Sequence, residues 1–149
     1  MEDDEEYVIG KGSIIAANCV IRDGVYIGFN TIIGPLNVLE SRAHIGNNVT
    51  LQPHGVFCRD MVIKDNVFIG PHFSCANNPY IPDGEHGVSP NKKPDQERTI
   101  IIGENTRIGT RCTIAPGVAI GMNCFIKMNC QIYKDVPSNT VLEAGTIWR

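Results

Sequence analysis

Residues 25–51 read VYIGFNTIIGPLNVLESRAHIGNNVTL, and within them Ile27, Ile33, Leu39, Ile45 and Leu51 fall at a fixed step of six. Outward from this stretch, the step runs without a slip back to Ile21, Ile15 and Ile9 and forward through Phe57, Ile63 and Ile69 to Cys75. A second run in the same step opens on Ile102, Ile108, Ile114, Ile120, Ile126 and Ile132. Self-similarity at a fixed short period marks a solenoid, and a hexapeptide period points to a parallel β-helix.

Within each hexad the other positions agree. The fifth residue is mostly small or apolar, as at Ser13, Cys19, Val25, Thr31, Thr106, Cys112 and Val118, so positions one and five should point inward. The second is often glycine or alanine. The fourth must turn a corner, which calls for a positive φ that Gly, Asn and Asp tolerate best. It reads Gly12, Asn18, Gly24, Asn30, Leu36, Arg42, Asn48, His54, Asp60, Asn66, His72 and Asn78, then Asn105, Arg111, Gly117, Asn123, Asn129 and Asp135. Three short sides make one coil of eighteen residues, so residues eighteen apart stack at roughly 4.8 Å. The spacing predicts an all-β chain of about six coils in one domain, with N-terminal coils over 1–78, a protruding loop over 79–99, C-terminal coils over 100–137 and a tail over 138–149.

At 149 residues and a net charge of −3, the chain is not built to engage nucleic acid or an anionic membrane surface. It holds no apolar run of transmembrane length, and it opens on the acidic MEDDEE rather than on a basic leader, so a soluble, cytoplasmic protein is expected. Four of the six cysteines, Cys19, Cys112, Cys124 and Cys130, occupy the small inward position. Reduced, buried thiols are expected there, although Cys112 and Cys130 stack close enough to be bridged in principle. The residues just ahead of each hexad are strongly apolar: Val8, Ile14, Val20, Tyr26, Ile32 and Phe68 among them. An exposed stripe of that kind marks an interface, so a cyclic homo-oligomer is expected.

The repeat breaks at PYIPDGEHGVSPNKKPDQERT, residues 79–99, a polar stretch with four prolines. Loops of this length inside a compact domain are uncommon and usually functional.

The pattern [LIV]-[GA]-x-x-small-x resembles the hexapeptide-repeat family, which implies a left-handed parallel β-helix. VFIGPHFSCANNPYIP (67–82), followed by residues 100–141 with their KDVP segment, resembles more narrowly the hexapeptide acyltransferases that acetylate amino sugars on nucleotide carriers. Those enzymes carry a stretch of the form IGPNVTFTND-x-YP ahead of a loop. Asn77 matches the motif's asparagine, Asn78 stands where its aspartate would be, and Tyr80 matches its aromatic position. The resemblance implies a homotrimer, with acetyl-CoA as co-substrate and a nucleotide-linked amino sugar as acceptor. His72 replaces an asparagine of that motif, Ala76 a threonine, and the C-terminal LEAGTIWR has no counterpart in it.

His54 and His72 are eighteen apart at the fourth position and should stack on one corner. Histidine tolerates positive φ, so a turn role is open. It also titrates near working pH, which makes His72 a candidate general base, with Asn77 as the other catalytic candidate. His54, Asn78 and Tyr80 are the acceptor-binding candidates. For an extended pantetheine arm the small positions Gly109, Ala115 and Gly121 offer a smooth path with oxyanion-stabilising amides, and Lys127 and Lys134 could meet its phosphates. An amine acceptor does not strictly need a protein base, because the departing thiolate can take the proton. Three other readings stay open: O-acetylation of a small hydroxyl acceptor, a non-catalytic solenoid like the dynactin pointed-end subunits, and a γ-carbonic-anhydrase-like enzyme. The last needs paired histidines at a close spacing that this chain does not have, so no metal is expected.

Overall fold

The computed structural model describes residues 7–79 and 98–149. Every regular element in it is a two-residue strand. The first coil carries β1 (Val8–Ile9), β2 (Ile14–Ile15) and β3 (Val20–Ile21); the second β4 (Tyr26–Ile27), β5 (Ile32–Ile33) and β6 (Val38–Leu39); the third β7 (His44–Ile45), β8 (Thr50–Leu51) and β9 (Val56–Phe57). The fourth has β10 (Val62–Ile63), β11 (Phe68–Ile69) and β12 (Ser74–Cys75), the fifth β13 (Ile101–Ile102), β14 (Arg107–Ile108) and β15 (Thr113–Ile114), the sixth β16 (Ala119–Ile120), β17 (Phe125–Ile126) and β18 (Gln131–Ile132). β19 (Val141–Leu142) and β20 (Ile147–Trp148) complete a seventh. Strands three apart pair in parallel, giving a three-faced prism. The first face is β1-β4-β7-β10-β13-β16 and the second β2-β5-β8-β11-β14-β17-β19, while the third divides into β3-β6-β9 and β12-β15-β18-β20. This is the parallel β-helix the hexad predicts.

The corners explain why the sequence closes so tightly. Sixteen of the eighteen expected turn residues have φ between 52° and 78°, including His54, His72, Leu36 and two arginines. The exceptions, Asn78 and Asp135, are the two places where the period itself fails. At the first, Val62 pairs with Ile101, 39 residues on rather than 18, so the insertion adds 21 residues between coils. At the second, the period shortens. Phe125 pairs with Val141 and Gln131 with Ile147, both 16 apart, and Asn139 at φ 64° takes over the turn expected of Asp135. The stretch 138–149 therefore continues the solenoid, and the coils number about seven rather than six.

Position one is buried from Ile27 onward in nearly every coil, and position five lines the corners of the core. The polar members at position five are satisfied by a repeating device. Thr31 Oγ1 donates to Gly46 O at 2.8 Å and accepts from Val49 N at 3.1 Å; Thr106 does the same with Gly121 O and Cys124 N. Ser13, Cys19 and Cys112 donate to the equivalent carbonyls of their neighbouring coils. Asn37, fully buried and not anticipated as an inward residue, bonds Gly34 O, Gln52 O and Gly55 N. Because a buried group left without its partner costs more than the bond gains, Thr31→Val should lower unfolding free energy by about 1–3 kcal/mol in urea titrations. A loss under about 0.5 kcal/mol would remove this account of the corner ladder.

Two buried rings stack in the core: the Phe57 and Phe73 centroids are 5.1 Å apart with 12° between planes. Gly55 makes room for them, since a Cβ there would stand 2.6 Å from the Phe57 ring and 2.8 Å from Asn37 Oδ1. Among the described residues, no helix is long and apolar enough to cross a membrane.

Candidate functional site

The second face carries a groove of about 430 Å³ across its later coils. One wall is the column of outward side chains holding Phe68 of β11 and Phe125 of β17, and the floor is Gly70 and Gly109. Pro71, Thr110 and Met128 close one side, and Lys127 reaches in from the C-terminal end. Arg107 on β14 lies between the two rings, its guanidinium 4.7 Å from the Phe125 centroid. Lys127 Nζ stands 6.0 Å from the same ring and pairs with Glu143 Oε2 at 2.7 Å. That pair is solvent-exposed and so worth little, which leaves the ammonium able to exchange its partner for a ligand anion at small cost.

Along the edge of this groove runs a corner. Pro71, Thr110 and Met128 are each followed by a corner residue, His72, Arg111 and Asn129 respectively. His54 precedes them in the column and stacks on His72 with centroids 4.9 Å apart and planes 7° apart. Both histidines are exposed with positive φ, their N–H groups bound to Pro35 O and Pro53 O. The backbone holds the turn, so the imidazole nitrogens are left for other work.

Asn77 and Asn78 lie elsewhere. They follow β12, at the far end of the third face from His72, and the four residues between His72 and Asn77, two of them in β12, span at most about 16 Å when extended. The Asn77 carbonyl accepts the Arg98 N–H at 2.7 Å, clasping the two ends of the insertion together. Tyr80 and most of the 79–99 segment lie outside the described residues, as does His86. One chain thus places His72 on the corner beside the groove, with His54 stacked on it from the preceding coil, and Asn77 and Asn78 at another corner.

The residues expected to hold the acyl donor divide in the same way. Gly109 and Lys127 share the groove, but Gly121 lines a shallow hollow on the first face with Asp135 and Ser138. Ala115 follows β15 on the third face. Lys134 is also on that side, its ammonium 4.9 Å from the Trp148 ring. Consecutive hexads face three directions, so the later second-position residues do not form one path. The glycines themselves answer to stacking: a Cβ on Gly109 would lie 2.7 Å from Met128 N, and one on Gly70 2.8 Å from Thr110 N. Their smoothness is a consequence of close coils. Phe125 and Met128 were not singled out in sequence; the residue just before each hexad on one face, read as a column, gives Phe68, Arg107 and Phe125. Among the described residues no group of three or more His, Cys, Asp or Glu could hold a metal ion.

Residues 99–134 match the family described as the hexapeptide repeat of succinyl-transferase. With the strand pairing above, this settles the architecture. The chain carries a hexapeptide repeat wound into a parallel β-helix. Over 41 residues, 28% of its length, the hexapeptide-repeat chain is 42% identical to the bifunctional protein GlmU of Methanocaldococcus jannaschii, of which that stretch covers a tenth. Among solved structures it superposes on the N-acyltransferase AntD of Bacillus cereus in complex with dTDP and coenzyme A, with a TM-score of 0.78, 17% identity, and coverage of 90% of this chain and 77% of that one. It also matches the acetyltransferase domain of PglB from Neisseria gonorrhoeae in complex with acetyl coenzyme A, with a TM-score of 0.71 and 16% identity over 87% of this chain and 53% of that one. A UDP-N-acetylglucosamine acyltransferase from Francisella novicida gives a TM-score of 0.70 at 25% identity over 84% of this chain and 46% of that one. The chain spans about half the length of the last two, and at these low identities the superpositions on AntD and PglB show a shared fold.

Proposed function

We propose that the protein is an acyltransferase that moves an acetyl group from acetyl-CoA to the amine of a nucleotide-linked amino sugar. The groove beside Phe68 and Phe125 is the observation that carries this reading: its lining is mostly apolar, its floor is glycine, Lys127 lies in it and Arg107 sits over the Phe125 ring at its margin. A pantetheine arm with a phosphate-bearing end has the same distribution of character. Solved structures sharing the fold hold coenzyme A or acetyl coenzyme A, and one holds dTDP beside it, which supports the donor and the carrier class together.

Acetyl-CoA supplies an activated carbonyl and a good leaving group; the chain supplies position and proton management. Phe68, Pro71, Phe125 and Met128 exclude water from the arm, limiting hydrolysis. Arg107 and Lys127 meet the phosphates. His72, on the corner beside the groove, accepts the proton lost by the attacking amine. Asn77, Asn78 and Tyr80 bind the acceptor from a neighbouring copy in a cytoplasmic homotrimer, since one chain keeps Asn77 away from the groove and the exposed apolar Ile14 and Ile32 of the second face offer a packing surface.

Free-thiol release from acetyl-CoA across a panel of acceptors tests the reaction. Nucleotide-linked amino sugars should release thiol and their hydroxyl counterparts should not. Release with hydroxyl acceptors alone would move the assignment to O-acetylation, and no release with any acceptor would remove the enzyme assignment. Phe125→Ala, which opens the wall and removes the platform under Arg107, should raise the KM for acetyl-CoA about tenfold, the effect of losing one well-packed aromatic contact.

A further inference from the structure

Among the described residues, the third face is the one whose ladder divides, between β9 and β12, and two cysteines occupy the division. Cys75 Sγ stands 2.8 Å from Cys58 Sγ and 3.3 Å from the Val56 carbonyl. These residues are 17 apart, diagonal neighbours on adjacent coils. With coils about 4.8 Å apart and a rise of about 3.3 Å per residue, such a diagonal spans about 5.8 Å between Cα atoms, at the mode for disulfides. Regular alternation would point Cys75 inward and Cys58 outward, so bringing the sulfurs together requires the local departure from pairing that the divided face displays.

We propose that Cys58 and Cys75 form a reversible disulfide that staples the third coil to the fourth beneath the point where the insertion leaves the solenoid. The oxidant is a small-molecule disulfide such as oxidised glutathione. One cysteine thiolate attacks it, releasing one glutathione thiol and leaving a mixed disulfide; the second cysteine then displaces the other glutathione. One S–S bond is broken and one made, and the two electrons and two protons of the cysteine thiols end on two glutathione molecules.

The remaining cysteines are placed against this chemistry. Cys19, Cys112, Cys124 and Cys130 each donate inward to a backbone carbonyl, on Gly34, Lys127, Pro137 and Glu143. Burial pushes the Cys112 thiol up to about 11, keeping it protonated at neutral pH. The adjacent Cys58 thiol, and then burial, hold Cys75 well above the ordinary cysteine range, so the attacking thiolate is scarce and exchange is slow at neutral pH and faster as pH rises. Cys75 is the more exposed of the two and is the point of entry.

The folded protein is brought to equilibrium in glutathione buffers of increasing oxidation, quenched with an alkylating reagent in denaturant, digested and mapped by mass. A Cys58–Cys75 linked peptide, lighter by two hydrogens than its reduced pair and reversed by dithiothreitol, is expected while the other four cysteines stay alkylated. Cys58→Ser and Cys75→Ser should each abolish it. Full alkylation of both residues in the most oxidising buffer, or a linkage that forms first through Cys112 and Cys130, would overturn the proposal. The test does not depend on the enzymatic reading.

Discussion

A His72→Asn protein should turn over about 100-fold more slowly, at the low end of what a positioned general base contributes, with the KM for acetyl-CoA nearly unchanged. Asparagine is the right replacement because position 72 sits at φ 59°, where an alanine would be strained and could lower activity through the fold instead. The substitution keeps the turn, removes the imidazole at the groove's edge and leaves Phe68, Arg107 and Lys127 to hold the donor. An unchanged melting temperature together with a collapsed kcat would assign the effect to proton transfer. A variant retaining most of its kcat would show that the departing thiolate takes the amine's proton unaided, and His72 would then be a turn residue stacked on His54.

The largest structural loss is expected from Phe57→Ala, about 3–5 kcal/mol of unfolding free energy in urea or guanidinium titrations. The ring is fully buried, stacks on Phe73, and sits in space that Gly55 leaves open, so its removal creates a cavity beside Phe73 inside the ring of coils. Stacked coils cannot collapse inward as packed helices can, because each strand is held to the coils above and below by its ladder. Restoring volume nearby should therefore rescue: Gly55→Ala, which clashes with the Phe57 ring in the wild type, should cost less when combined with Phe57→Ala than the two single losses predict. Simple additivity would count against the shared-space explanation.

What the sequence made legible was whatever repeats. A residue such as Ile45 or Asn48 is constrained by the same stacking as its counterparts eighteen positions away, so a single rule read once applies throughout, and even Leu36 and Arg42 adopt the turn imposed by their place. The rule fails where the chain changes length. Asn78 and Asp135 miss their turns because the insertion and the shortened final coil interrupt the count, and Leu142 and Trp148, six apart around Gly145, resume it in a register displaced by two. The site was less legible for a different reason. Consecutive hexads face three directions, so Gly109, Ala115 and Gly121 are alike in sequence and far apart in space, whereas Phe68, Arg107 and Phe125 are distant in sequence and form one wall. His54 and His72 were visible as a pair because both the turn and the eighteen-residue step act on them. The buried Asn37, and the meeting of Cys58 with Cys75, depend on local adjustments that periodicity does not encode.

The most direct test of the account is the crystal structure of the protein grown with saturating coenzyme A. The pantetheine arm should lie along Gly70 and Gly109 beside the wall of Phe68 and Phe125, with its sulfur toward the His72 corner and its phosphates beside Arg107 and Lys127. Coenzyme A bound on the first or third face, or a groove without it at saturating concentration, would contradict the claim that this face is where the thioester is held.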